Sequence, residues 1–126
     1  MKTIQLFFYA RENGDDLKRL QQSIKSVVPE KNIKTSGSIA DLSYNLNHFN
    51  SYNALVLLLV VRNNDLDDLL AISDLLANAR IILILPDEDK ETLDKGLKLY
   101  PLFMSNICSD FKDVAGVLEK VLKDSK

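Results

Sequence analysis

The sequence predicts a doubly wound α/β fold: five parallel strands in the order 2-1-3-4-5, with helices packed on both faces of the sheet. Three observations predict it. Short apolar runs alternate five times with longer stretches whose apolar residues recur at three- and four-residue steps, the periods of strand and amphipathic helix. Two of the runs, "YNALVLLLVV" and "ARIILILP", are apolar on both alternating faces, as strands are when helices cover both sides of a parallel sheet. The strand-helix units recur every 20 to 27 residues or so, about the length of a right-handed βαβ crossover.

Each element has its own signals. "TIQLFFYA" is a β-rich apolar run, and "RENGDD" after it supplies Asn13 and Gly14 as turn residues, then acids suited to a helix N-terminus. In the first helix Leu17, Leu20, Ile24, Val27 and Val28 form one face, and Pro29 helps to end it. "NIKTSGS" is a more polar strand, fit for a sheet edge, and Ser38 with Asp41 three residues on forms a capping box for the second helix. That helix sets Ile39, Leu42, Leu46 and Phe49 on one stripe. "YNALVLLLVV" is the central strand. The third helix starts near Asn64 and turns Leu66, Leu69, Leu70 and Leu76 inward, before "ARIILILP" and its closing Pro86 and Asp87. "DEDKETLDKGLKLY" makes a polar fourth helix whose stripe is little more than Leu93, Leu97 and Tyr100. It is expected to be weakly held, the more so because Gly96 costs about 1 kcal/mol relative to alanine. "LFMSNICS" is the fifth strand, and Phe111, Val114, Ala115, Leu118, Val121 and Leu122 give the fifth helix the best stripe in the chain. Crossovers of one hand put the first and fifth helices on one face and the second, third and fourth on the other.

Composition narrows the classes. A chain of 126 residues suits one domain with a real core and is short for two. Apolar residues at 46% and charged residues at 27% exclude disordered, fibrous and membrane classes. With 16 basic and 18 acidic residues spread along the chain, there is no basic stripe to neutralise phosphates, so no direct nucleic-acid partner is expected. A single cysteine, Cys108, forms neither an internal disulfide nor a metal cluster, and a cytoplasmic location is expected. The longest apolar run, Ala54 to Val61, is eight residues, well short of the roughly 20 that cross a bilayer. No membrane partner is expected.

In a flavodoxin-like sheet of this order, ligands bind beyond the carboxyl ends of strands 1 and 3. That rim comprises Tyr9 to Asp16, Leu58 to Asp65, Pro86 to Asp89 and Ser105 to Ser109. In element order, lengths and local rhythm, the chain from Ile4 to Leu122 resembles response-regulator receiver domains. "YNALVLLLVVRNND" looks like a receiver's third strand and following loop with the polar signals removed. The resemblance implies a module of two-component signal transduction, and it also implies where phosphotransfer residues would stand. The place of the Mg²⁺-holding acids, at the end of strand 1, reads Phe8, Tyr9 and Ala10. The phosphoacceptor position falls on Leu58, counted back from Asp65; the switch Ser/Thr falls on Pro86; the lysine of strand 5 falls on Ser105 or Asn106. All depart from the pattern, so the expectation is a pseudo-receiver over residues 1–126: not an enzyme, and acting through protein contacts.

The residues agree without the family. Mg²⁺ takes an octahedral shell of hard oxygens, and Phe8, Tyr9, Leu58, Leu59 and Pro86 offer almost none. "ARENGDD" lacks the loop that cradles a phosphate, and neither G-x-G-x-x-G nor G-x-x-x-x-G-K-[ST] occurs, so no cofactor is expected. Glu12, Asp15 and Asp16, like Asp65, Asp67 and Asp68, read as helix caps that complement the helix dipoles. The alternative is an atypical phosphoacceptor at a displaced acid such as Asp65. Cys108, near the start of the fifth helix, offers a redox sensor as a further alternative, against the plainer reading of a buried structural thiol. His48 has no catalytic partner placed by sequence and reads as solvent-facing or capping. For a protein partner or a homodimer, the face of the fourth helix, fifth strand and fifth helix offers Leu99, Tyr100 and Phe103 rimmed by Lys95, Lys98 and Lys112. The plainer alternative is that these three apolar residues plug the bottom of the sheet.

Overall fold

The computed structural model describes residues 5–11, 14–48, 54–77, 79–107 and 110–124. Its elements are β1 (Leu6–Ala10), α1 (Asp15–Lys25), β2 (Ile33–Ser36), α2 (Ile39–His48), β3 (Leu55–Leu59), α3 (Asn63–Ala71), α4 (Ser73–Leu76), β4 (Arg80–Leu85), α5 (Lys90–Leu97), β5 (Phe103–Asn106) and α6 (Lys112–Asp124). The strands form one parallel sheet in the order β2-β1-β3-β4-β5. This is the flavodoxin-like arrangement that the alternation predicts.

The pleat divides the core in two. Leu6, Phe8, Leu57 and Ile84 point into a cluster with α1 and α6, while Phe7, Tyr9, Leu58 and Leu83 point into a second cluster with α2, α3 and α4. All five residues of β3 are buried, which is why that run carries no polar residue on either face. At the start of α2, Ser38 Oγ accepts the Asp41 backbone N–H at 3.1 Å and satisfies one of the helix's open donors. Phe111, with a left-handed φ of 64°, sits fully buried just before α6, and the Arg19 guanidinium lies 4.8 Å from its ring centre.

Two helices depart from expectation. The third predicted helix is broken at Ile72 into α3 and α4: the Ile72 N–H bonds back to the Leu69 carbonyl, and Leu75 N–H bonds to the Ile72 carbonyl, both three residues back. In α5 the expected stripe holds at Leu93, which packs against the second core cluster, and is corrected at Leu97 and Tyr100. The buried positions are Thr92 and Gly96, with Leu99 just beyond the helix, while Leu97 and Tyr100 are exposed. Gly96 explains the rotation: a Cβ there would stand 3.1 Å from Leu83 Cδ2 and 3.3 Å from Met104 Sδ. The missing side chain lets α5 lie directly on the sheet. Rather than loosening the helix, the glycine seats it. Among the described residues, no helix is long and apolar enough to cross a membrane.

Candidate functional site at the strand carboxyl ends

β1 and β3 are neighbours whose connections leave in opposite directions, so the loops beyond their carboxyl ends part and leave a crevice. Tyr9 and Leu58 stand side by side at this point in the register, both fully buried. Arg11, the first residue after β1, reaches over them to α3. One guanidinium nitrogen, Nη1, donates to Asp65 Oδ1 at 2.9 Å and to Asp68 Oδ2 at 3.0 Å. Asp65 occupies the first turn of α3, where a carboxylate complements the helix dipole, yet it is only 3% exposed. A carboxylate this deep needs a counter-ion, and Arg11 supplies it. The hydrogen bond and charge of Asp65, in that order, raise the Arg11 pKa further above an already high value.

Below this pair lies the Tyr9 phenol. Its hydroxyl is buried and makes no hydrogen bond. Burial first, then the negative charge of Asp65, pushes its pKa up to about 12, with Arg11 pulling the other way. The amino end of α3 is also tied to α5: Thr92 Oγ1 donates to Asn63 Oδ1 at 3.0 Å, and Lys95 Nζ lies 3.0 Å from Asp67 Oδ1. Three ties thus fix α3 between the β1 loop and α5.

The positions where the resemblance to receivers would put phosphotransfer residues are placed as follows. Phe8 and Leu58 are core residues on opposite faces of the sheet. Pro86 is half-buried beyond β4. Ser105 Oγ donates to Asp113 Oδ2 at 3.0 Å, and Asn106 Nδ2 donates to Glu88 Oε1 at 2.9 Å. Among the described residues, no group of three or more His, Cys, Asp or Glu side chains is arranged to hold a metal ion. Cys108 lies outside the described residues. His48 is exposed on α2 and stacks on Tyr44, with ring centres 4.4 Å apart. Arg11 escaped the sequence reading. The available signal was a cation directly after β1 facing carboxylates directly after β3, two loops that the strand order makes neighbours.

The residues expected to form a partner face are arranged differently in detail. Leu99 is core, at 5% exposure; Phe103 is half-buried against the α1–α6 cluster; Lys95 is engaged with Asp67. Lys98 is exposed, and Lys112 is exposed with its ammonium 4.0 Å from Asp110. What faces outward is Leu97, Tyr100 and Leu102, three large apolar side chains within six residues, with Tyr100 at 89% exposure. Tyr100 also has a φ of 51°, a left-handed conformation that a bulky residue rarely adopts. Replacing it by glycine is expected to leave thermal stability unchanged or to raise it by up to about 1 kcal/mol, because glycine meets no steric cost there. A clear fall in melting temperature would mean that the Tyr100 ring packs on the protein.

Set beside known families, curated proteins and solved structures, the chain matches none of them.

Proposed function

We propose that this domain is a non-catalytic, receiver-like signalling module that acts through protein contacts. The observation that carries the reading is the Arg11 clamp. At the crevice where a sheet of this order binds ligands, Asp65 and Asp68 are already engaged by a cationic side chain of the chain itself. A guanidinium on Asp65 and Asp68 takes the place that a divalent cation needs, and the leucine beside Tyr9 has no oxygen to phosphorylate. Asp65, the displaced acceptor of the alternative reading, would have to lose Arg11 and come out of a buried position before it met a phosphodonor. Outward Leu97, Tyr100 and Leu102, next to the open edge of β5, supply the kind of apolar anchor that partner surfaces use.

Incubation with Mg²⁺ and acetyl phosphate tests the reading. The intact protein is expected to show no mass gain of about 80 Da, the signature of one phosphoryl group. A stoichiometric gain that disappears in D65N would replace this proposal by the phosphoacceptor reading.

A further inference from the structure

The opposite edge of the sheet carries a second built surface. β2 is an edge strand of four residues, and both of its ends are fastened by side chains. Gln5 Nε2 donates to the Asn32 carbonyl at 2.9 Å just before it, and Asn45 Nδ2 donates to Ser36 Oγ at 2.8 Å, in a buried position, at its end. Among the described residues, no strand pairs with its outer side. In the register Thr35, a short, exposed polar side chain, stands beside Phe8. From above, α1 adds Gln21 and Lys25 as well as Ile24. The space left is a half-open cavity of about 140 Å³, walled by Phe8, Ile24 and Ile33 and rimmed by Gln21, Lys25, Glu30 and Thr35. A void of about that size holds a benzene-sized group, comparable with one leucine or isoleucine side chain.

Charge selects among the occupants. From Lys25 to Thr35 the chain carries three lysines and one glutamate, although the whole protein has a net charge of −2; Lys25 Nζ lies 3.9 Å from Glu30 Oε1, so the local excess of positive charge rests with Lys31 and Lys34. We propose that β2 takes an extended acidic segment of a partner protein as an added strand, with one aliphatic side chain seated in the cavity. An edge strand turns backbone N–H and C=O groups outward, and an added strand sends alternate side chains to each face. Because β2 is short, backbone pairing alone is weak, and the seated side chain and the lysines supply the remaining selectivity. This surface lies across the sheet from the α5–β5 patch and does not depend on the signalling reading.

The probe is a blocked, fluorescent heptapeptide of alternating glutamate and isoleucine, compared with its lysine counterpart and with a backbone N-methylated version. The glutamate peptide is expected to bind saturably and to shift the amide resonances of Gln21–Lys25 and Ile33–Ser36. The lysine and N-methylated peptides should bind at least about tenfold more weakly. T35L fills the cavity from an exposed position, and K31E/K34E reverses the local charge; each should weaken the glutamate peptide about tenfold while the melting temperature holds. Absence of saturable binding, or equal binding of the lysine peptide, overturns the proposal. So does a response to Y100G in place of T35L. A dimer that T35L dissolves would assign the edge to a second copy and overturn the acidic partner.

Discussion

R11M is expected to lower the stability of the domain at neutral pH. Methionine keeps the unbranched apolar stem of the arginine and removes only the guanidinium, so the loss reports the charge and its two hydrogen bonds. Asp65 carries nearly all of the effect. Its side chain is 4% exposed, and without Arg11 it becomes a buried carboxylate with no counter-ion. Asp68, half exposed, adds little, since water replaces its partner. The loss stays below that of a fully buried pair because the Arg11 side chain is itself half exposed, and in the variant water enters where it stood. The double variant R11M/D65N should recover much of the loss, because it removes the orphaned charge along with its partner. Urea midpoints with an unchanged slope would measure both. An unchanged urea midpoint in R11M, or a double variant no better than the single, would show that solvent rather than Arg11 neutralises Asp65.

How far the sequence reached depends on the kind of signal each element carried. Strand order and the sharing of helices between faces were legible, because burial on both sides leaves runs such as "LVLLL" with no polar residue, and because crossovers share one hand. The orientation of α5 was not. Reading a helix by its largest apolar residues assumes that they face the core, but here the smallest residue, Gly96, faces it so closely that a Cβ there would stand 3.1 Å from Leu83 Cδ2 and 3.3 Å from Met104 Sδ. The break at Ile72 had no mark either, since neither glycine nor proline stands between Leu66 and Leu76. At the candidate site, the apolar character of Tyr9 and Leu58 could be read along the chain. The Arg11–Asp65 pair, 54 residues apart, appears only once the fold has set the two loops side by side.

The alkaline limb of the stability profile should be governed in part by Tyr9. An ordinary phenol titrates at 10.0, and the Tyr9 phenol is pushed up to about 12 by burial and by Asp65. Below pH 10 it is neutral in the folded and the unfolded chain alike, and its contribution to stability is fully present. As the pH rises past 10 the unfolded chain gives up this proton first, so the unfolded state gains. The contribution falls until the folded phenol ionises near pH 12. Each unit of separation is worth about 1.4 kcal/mol, so about 2–3 kcal/mol is lost across this window. Y9F removes that dependence and should flatten the profile between pH 10 and about 12 relative to the native protein. At neutral pH the same variant takes away a buried hydroxyl that makes no hydrogen bond, and leaving such a group unpaired costs about 1–3 kcal/mol. Y9F is therefore expected to be neutral or up to about 1 kcal/mol more stable there, the gain shrinking where the ring shifts to fill the space. Urea titrations at pH 7 and at successive points above pH 9 separate the two effects. Parallel profiles for the two proteins above pH 10 would mean that the phenol reaches water, and a destabilised Y9F at pH 7 would mean that Asp65 or a bound water already holds the hydroxyl.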